Sequence, residues 1–172
     1  MNMHSKLIMS GLVLTLSACA GMRDVDHKWC PPDTPVPATP VARTERVNLA
    51  ADALFSFDKA SSTDLLPAGK ETLDKLAATL SEGYIQVDKI SLVGHTDRLG
   101  DANYNYKLGL RRSETVKAYL QSRGVTAPIT TASAGETQPT TNCPGTKSTT
   151  ALKACLQPDR RVVVEITGIR KK

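Results

Sequence analysis

Aromatic side chains make up only 4% of this 172-residue chain, and the lysines and arginines behind its net charge of +5 are scattered along it. Without aromatic platforms or a clustered basic face, no nucleic-acid partner is expected; a mild positive charge suits an anionic polymer at least as well. Histidine is equally sparse. His4 and His27 fall in the N-terminal segments and only His95 in the region that reads as folded, and there is no Cys-x-x-Cys pair. The ligands of an ordinary metal site are therefore missing. The catalytic alternative is confined to His95 beside Asp97, and alternating strand positions account for that pair structurally. Neither enzyme activity nor a cofactor is expected. Four cysteines without metal-ligand spacing point instead to disulfides or modification, and so to a compartment outside a reducing cytoplasm.

Long apolar runs are also lacking. The longest candidate, residues 7–16 (LIMSGLVLTL), has ten residues after a single basic Lys6, against the ~20 that span a bilayer as a helix. It reads as a cleaved export signal over residues 1–18. Leu16-Ser17-Ala18-Cys19 resembles the bacterial lipobox, in which the cysteine at the new N-terminus receives diacylglycerol; an incidental cysteine at an ordinary cleavage site is the alternative. Lipidation at Cys19 would hold the protein on a membrane through several acyl chains. Ala20 stands where the inner-membrane retention signal has Asp, which directs the expectation to the outer membrane.

Residues 19–45 read as a spacer. Half of the ten prolines (Pro31, Pro32, Pro35, Pro37 and Pro40) fall within ten residues, and polyproline geometry at ~3.1 Å per residue allows a reach of roughly 80 Å. A semi-rigid spacer of this kind lets an anchored domain reach a layer below the membrane; a disordered tail is the other reading. With 40% apolar content, the remainder, residues 46–172, has room for one core of ~100–150 residues.

Period-two alternation of Val47, Leu49, Ala51, Ala53, Phe55 and Phe57 predicts a half-buried strand. Pro67 followed by Leu73, Leu76, Ala77 and Leu80 predicts a helix ending at Gly83. A second strand is expected over residues 87–93. A long helix over residues 102–123 follows, N-capped by Asp101, with Leu108, Val116, Tyr119 and Leu120 inward. Residues 129–134 and 161–167 complete the strands, with Val162, Val164 and Ile166 on one face. The expected class is α/β, an α+β sandwich with helices packed on a small mixed sheet.

The densest polar cluster that packing does not explain is Gly94-His95-Thr96-Asp97-Arg98-Leu99-Gly100, between a strand and the long helix, where sites tend to form. GHTDRLGDANYNYKLGLRRSETVKAYL resembles the signature of the OmpA-like domain family, the peptidoglycan-associating module of outer-membrane proteins, lipoproteins and flagellar stators. The resemblance runs from Phe55-x-Phe57-Asp58-Lys59 to Asp159-Arg160-Arg161-Val162. It implies a βαβαβ-type fold, and it implies that Asp97 and Arg112 bind the diaminopimelate residue of the stem peptide. Thr96, Phe57 and Asp58 are further pocket candidates by the family pattern.

Elementary chemistry agrees. Diaminopimelate ends in an ammonium and a carboxylate on one carbon, which call for a carboxylate and a planar donor fork. Asn105, Leu108 and Arg112, at i, i+3 and i+7, project from one helix face over about 10 Å, and Asp97 can fold over that face. The structural alternative is that Asp97 and Arg112 pair with each other, or that one of them caps the helix. Gly109 and Ser113 depart from the family's usual serine and alanine, and a mid-helix glycine costs about 1 kcal/mol. Some OmpA-like domains carry a disulfide where Cys143 and Cys155 stand; a bridge there would close a 13-residue loop. Cys30 is then a free thiol or an intermolecular partner.

The expectation is a non-catalytic outer-membrane lipoprotein whose periplasmic domain binds diaminopimelate-type peptidoglycan without a covalent bond. The alternative is an anchoring subunit of a larger envelope machine, such as a secretion apparatus or a stator.

Overall fold

The computed structural model describes residues 39–172. The signal at residues 1–18, Cys19, Cys30 and all but the end of the proline-rich spacer lie outside the described residues.

Eight regular elements follow in order. They are β1 (Arg43–Ala50), α1 (Ala51–Leu54), α2 (Pro67–Glu82), β2 (Tyr84–His95), α3 (Ala102–Ser122), β3 (Ile129–Gly135), α4 (Thr150–Cys155) and β4 (Arg161–Arg170). The sheet order is β1-β4-β2-β3. β4 is antiparallel to both neighbours and β2 runs parallel to β3, so the sheet is mixed and the α/β expectation holds. Helices α2 and α3 lie on one face. Leu73, Leu76, Ala77 and Leu80 of α2, with Val116 and Leu120 of α3, meet Ile90, Leu92, Val162, Val164 and Ile166 of the sheet in one core. Burying each such aliphatic chain fully is worth roughly 1.5–3 kcal/mol. The opposite face carries polar pairs, Arg46 with Glu165 and Thr44 with Thr167 across β1 and β4, beside the buried Val163.

The first strand ends earlier than the alternation predicts. β1 stops at Ala50, and Ala51, Leu54 and Phe55, all at most 1% exposed, bury at i, i+3 and i+4 around the turn of α1. Alternation and helical spacing coincide over so short a stretch, and packing under the sheet end selects the helix. Phe57, which the strand reading would continue, is 76% exposed. β2 begins at Tyr84, three residues before its predicted start, because it pairs with the full length of β4.

Gly109 has a positive structural reason. A Cβ on Gly94 would lie 1.9 Å from the Gly109 carbonyl oxygen, and one on Gly109 would meet Ser133 Oγ at 2.4 Å. Two glycines thus let the second turn of α3 touch the backbone of β2. Ser113, fully buried, donates to the Leu110 and Ala132 carbonyls and so ties α3 to β3 one turn on.

Candidate ligand-binding site

The closeness of α3 to the end of β2 brings residues 96–101 over the helix face that carries Asn105, Leu108 and Arg112. A cavity of about 330 Å³ opens there. Thr96, Asp97, Leu99, Asn105, Leu108 and Arg112 line it, and Asp52, Phe57 and Asp58 line it from the α1 side. All seven residues expected at a ligand site therefore share one pocket. Ser148, Lys153 and Arg160 complete the wall.

Asp97 and Arg112 do not pair. Asp97 Oδ1 accepts the Leu99 N–H at 2.9 Å, and Oδ2 accepts Arg160 Nη1 at 2.7 Å. Arg160 also donates Nη2 to Asp52 Oδ2 at 2.7 Å and Nε to both Asp52 oxygens at 3.0 and 3.1 Å. Its hydrogen bonds to Asp52, and then those to Asp97, raise its pKa further. One guanidinium thus holds two carboxylates, Asp52 as a fork through both oxygens and Asp97 through one. Asp159, one residue earlier, is 1% exposed and accepts from the N–H and hydroxyl of both Thr140 and Thr141. Burial alone would raise its pKa, but these four bonds outweigh it and hold the carboxyl below the usual range.

Arg112 is 3% exposed. Its Nε donates to the Lys59 carbonyl at 2.9 Å and its guanidinium lies 5.7 Å from the Phe55 ring centroid. No carboxylate of the described residues forms an ion pair with it. Burial lowers its pKa, with Asp52 and Asp58 opposing the shift, and a guanidinium stays charged regardless. Among the described residues its two Nη groups make no hydrogen bond, which leaves them for a ligand. Thr96 Oγ1 is buried and has no partner among the described residues. An unpaired polar group of this kind costs about 1–3 kcal/mol, relieved once a ligand pairs it.

Both charged residues are deeply seated, Asp97 9% and Arg112 3% exposed. Asn105 is chiefly a brace, donating to the Asp97 and Leu99 carbonyls at 3.2 and 3.3 Å and to Glu136 at 2.6 Å. Asp101 caps α3 by accepting the Tyr104 N–H, as expected. Tyr104 in turn donates to Asp58, whose φ of 58° is a left-handed conformation that aspartate tolerates.

Sequence reasoning missed Arg160, Asp52, Ser148 and Lys153. Arg160 belongs to the Asp159-Arg160-Arg161-Val162 stretch that carries the family resemblance, so a signal existed. Ser148 and Lys153 come from a lobe closed by the Cys143–Cys155 disulfide, with Cα atoms 5.9 Å apart. Such a loop closure contributes on the order of 3 kcal/mol. Arg98 donates to the Cys143 and Gly145 carbonyls at 2.8 and 2.6 Å, and Leu99 packs on Cys143, Leu152 and Leu156. The Asp97 loop is thereby fastened to the stapled lobe.

His95 lies at the end of β2, 3% exposed, with Nδ1 unpaired among the described residues. Burial, and then the charges of Arg161 and Arg46, push its pKa from 6.5 down to about 4. The unfolded chain therefore binds this proton at a higher pH than the folded one. Stability contributed by neutral His95 is intact above pH 6.5 and is lost as pH falls toward 4, by up to about 3 kcal/mol. Urea unfolding across that window should show the loss in wild type and a flatter profile in His95→Leu; parallel profiles would contradict it.

Fold and pocket together describe a small mixed sheet whose ligand cavity holds opposite charges at the strand-to-helix loop. Residues 56–151 match the model of the OmpA family. The chain belongs to the OmpA family. It is 39% identical over 141 residues to an outer membrane protein A of Yersinia pseudotuberculosis serotype I (strain IP32953), covering 80% of this chain and 39% of that one. It is 40% identical over 139 residues to one of Shigella flexneri, covering 79% and 39%. The chain thus spans about two fifths of the length of these curated relatives. Among solved structures, the peptidoglycan-associated lipoprotein of Burkholderia pseudomallei superposes with a TM-score of 0.50 at 25% identity, covering 66% of this chain and 87% of that one. The periplasmic domain of Helicobacter pylori MotB gives 0.56 at 18% identity, covering 72% and 73%, a likeness of fold alone.

Proposed function

We propose that this domain binds peptidoglycan non-covalently, without catalysis, by holding the zwitterionic end of diaminopimelate between Asp97 and Arg112. The observation that carries this is the arrangement of charge: a carboxylate fixed by Leu99 and Arg160 shares a pocket with a buried guanidinium that has no carboxylate partner among the described residues. The ammonium goes to Asp97 and the carboxylate to the free edges of Arg112, with the Thr96 hydroxyl close by. Family membership and the solved peptidoglycan-associated lipoprotein support the reading. Lysine-type walls offer the ammonium only, so Arg112 stays unpaired against them at about 1–3 kcal/mol or more. Sedimentation of the protein with purified sacculi should therefore show at least about tenfold preference for the diaminopimelate type, with free diaminopimelate competing. Equal binding to both walls would refute the assignment.

The same proposal puts the protein on the periplasmic side of the outer membrane, lipid-anchored at Cys19 and reaching the wall through the spacer that precedes β1, which takes in Arg43 to Glu45 from the end of the expected 19–45 stretch. The relatives' outer-membrane character and the lipobox-like Leu16-Ser17-Ala18-Cys19 support it. No helix among the described residues is long and apolar enough to cross a membrane. Envelope fractionation should find wild type acylated and in the outer membrane and Cys19→Ala released; an unlabelled wild type would exclude lipidation. The alternative of an anchoring subunit in a larger machine rests on likeness of fold to the MotB domain.

A further inference from the structure

Three carboxylates, Asp52, Asp58 and Asp97, and three cations, Arg112, Lys153 and Arg160, line the pocket. Arg160 is consumed by Asp52 and Asp97, and Asp58 accepts the Tyr104 hydroxyl. Two cations are left without a carboxylate among the described residues. Arg112 suffices for the zwitterionic end of diaminopimelate, so Lys153 is a surplus charge. It is also differently placed: exposed, in the last turn of α4, with its ammonium 5.9 Å from the ring centroid of Phe57, itself 76% exposed. Its backbone is not loose. The Lys153 carbonyl accepts Arg160 Nη1 at 3.1 Å, and two residues on, Cys155 is bonded to Cys143, whose carbonyl accepts Arg98. A cation on a fixed backbone, beside an exposed aromatic ring, therefore stands at the mouth of the cavity.

We propose that Lys153 and Phe57 form a second subsite that takes a carboxylate of the stem peptide next to its diaminopimelate, making the domain selective for stems in which that carboxylate is not amidated. The inference rests on the diaminopimelate reading above. A stem peptide emerging from the pocket presents two such carboxylates, the α-carboxylate of the d-glutamate before diaminopimelate and the terminal carboxylate of the d-alanine after it. Amidation neutralises either one without changing its size. The flat face of Phe57 offers apolar contact to the emerging backbone, and the Lys153 ammonium, a flexible point charge, follows whichever carboxylate lies within reach. An exposed charge contact of this sort changes affinity by about threefold.

The test is calorimetry of the full-length protein with four synthetic peptides, l-alanyl-γ-d-glutamyl-diaminopimelyl-d-alanine with the glutamate carboxylate, the terminal carboxylate, both or neither amidated. One amidation should weaken binding to wild type by about threefold, and which one does so identifies the carboxylate. In Lys153→Gln the acid and amide forms should bind alike, and Lys153→Arg should restore the preference. Equal binding of all four peptides to wild type overturns the subsite and leaves the diaminopimelate site standing. Discrimination that survives in Lys153→Gln also overturns it. Failure of every peptide to bind wild type overturns both readings together.

Discussion

Replacing Arg160 with methionine is expected to destabilise the domain by about 3 kcal/mol, read as a shift in the urea midpoint. Removing one partner of a buried ion pair costs about 3–5 kcal/mol because the remaining charge is left desolvated. Here two carboxylates lose their partner at once, and with side chains 31% and 12% exposed, Asp52 regains some water and Asp97 little. That partial exposure puts the expectation at the lower end of the range. Methionine keeps most of the packed stem, so the loss reports charge more than volume. Adding Asp52→Asn to Arg160→Met should recover part of the loss, since it removes one stranded charge. A single variant within about 0.5 kcal/mol of wild type, the ordinary scatter of surface substitutions, would show that the Asp52–Arg160–Asp97 network is incidental.

Asp97→Asn and Arg112→Lys are expected to lose at least about tenfold in affinity for diaminopimelate-type sacculi, since hydrogen bonds to charged groups contribute about 1.5–3 kcal/mol. Asp97→Asn is nearly isosteric but has no charge to hold an ammonium. Arg112→Lys keeps the charge and loses the fork, along with the Nε bond to the Lys59 carbonyl. Conservative variants are needed because both positions are buried. Arg112→Ala would leave that carbonyl unpaired and uncover Phe55, confounding binding with folding. Calorimetry on variants whose thermal melts remain cooperative checks the expectation. Full binding by both folded variants would move the ligand elsewhere.

Much of the fold was legible because its signals are local. The Asp101 cap, the proline that opens α2, the α3 face bearing Leu108, Val116 and Leu120, and the alternation of β4 are set by spacings within a few residues. The first strand was read too long for the same reason. Ala51, Leu54 and Phe55 satisfy both periods, and only the end of the sheet decides between them. Asp97, Arg112 and their neighbours were legible through a motif compressed into one loop and one helix.

The sequence by itself therefore determined the α/β class, the strand-to-helix loop as the place of the pocket, and the charged and polar residue types that line it, all carried by patterns shorter than two helical turns or by a contiguous motif. Tertiary structure alone decided the partners. Asp97 pairs with Arg160, 63 residues away, and not with Arg112; Arg112, over the Phe55 ring, meets no carboxylate partner among the described residues; and Lys153 reaches the pocket mouth on a disulfide-held lobe. The physical reason is that the energy of an ion pair depends on distance and desolvation in three dimensions. Nothing in the spacing of residues 52, 97, 112 and 160 along the chain specifies which charge meets which.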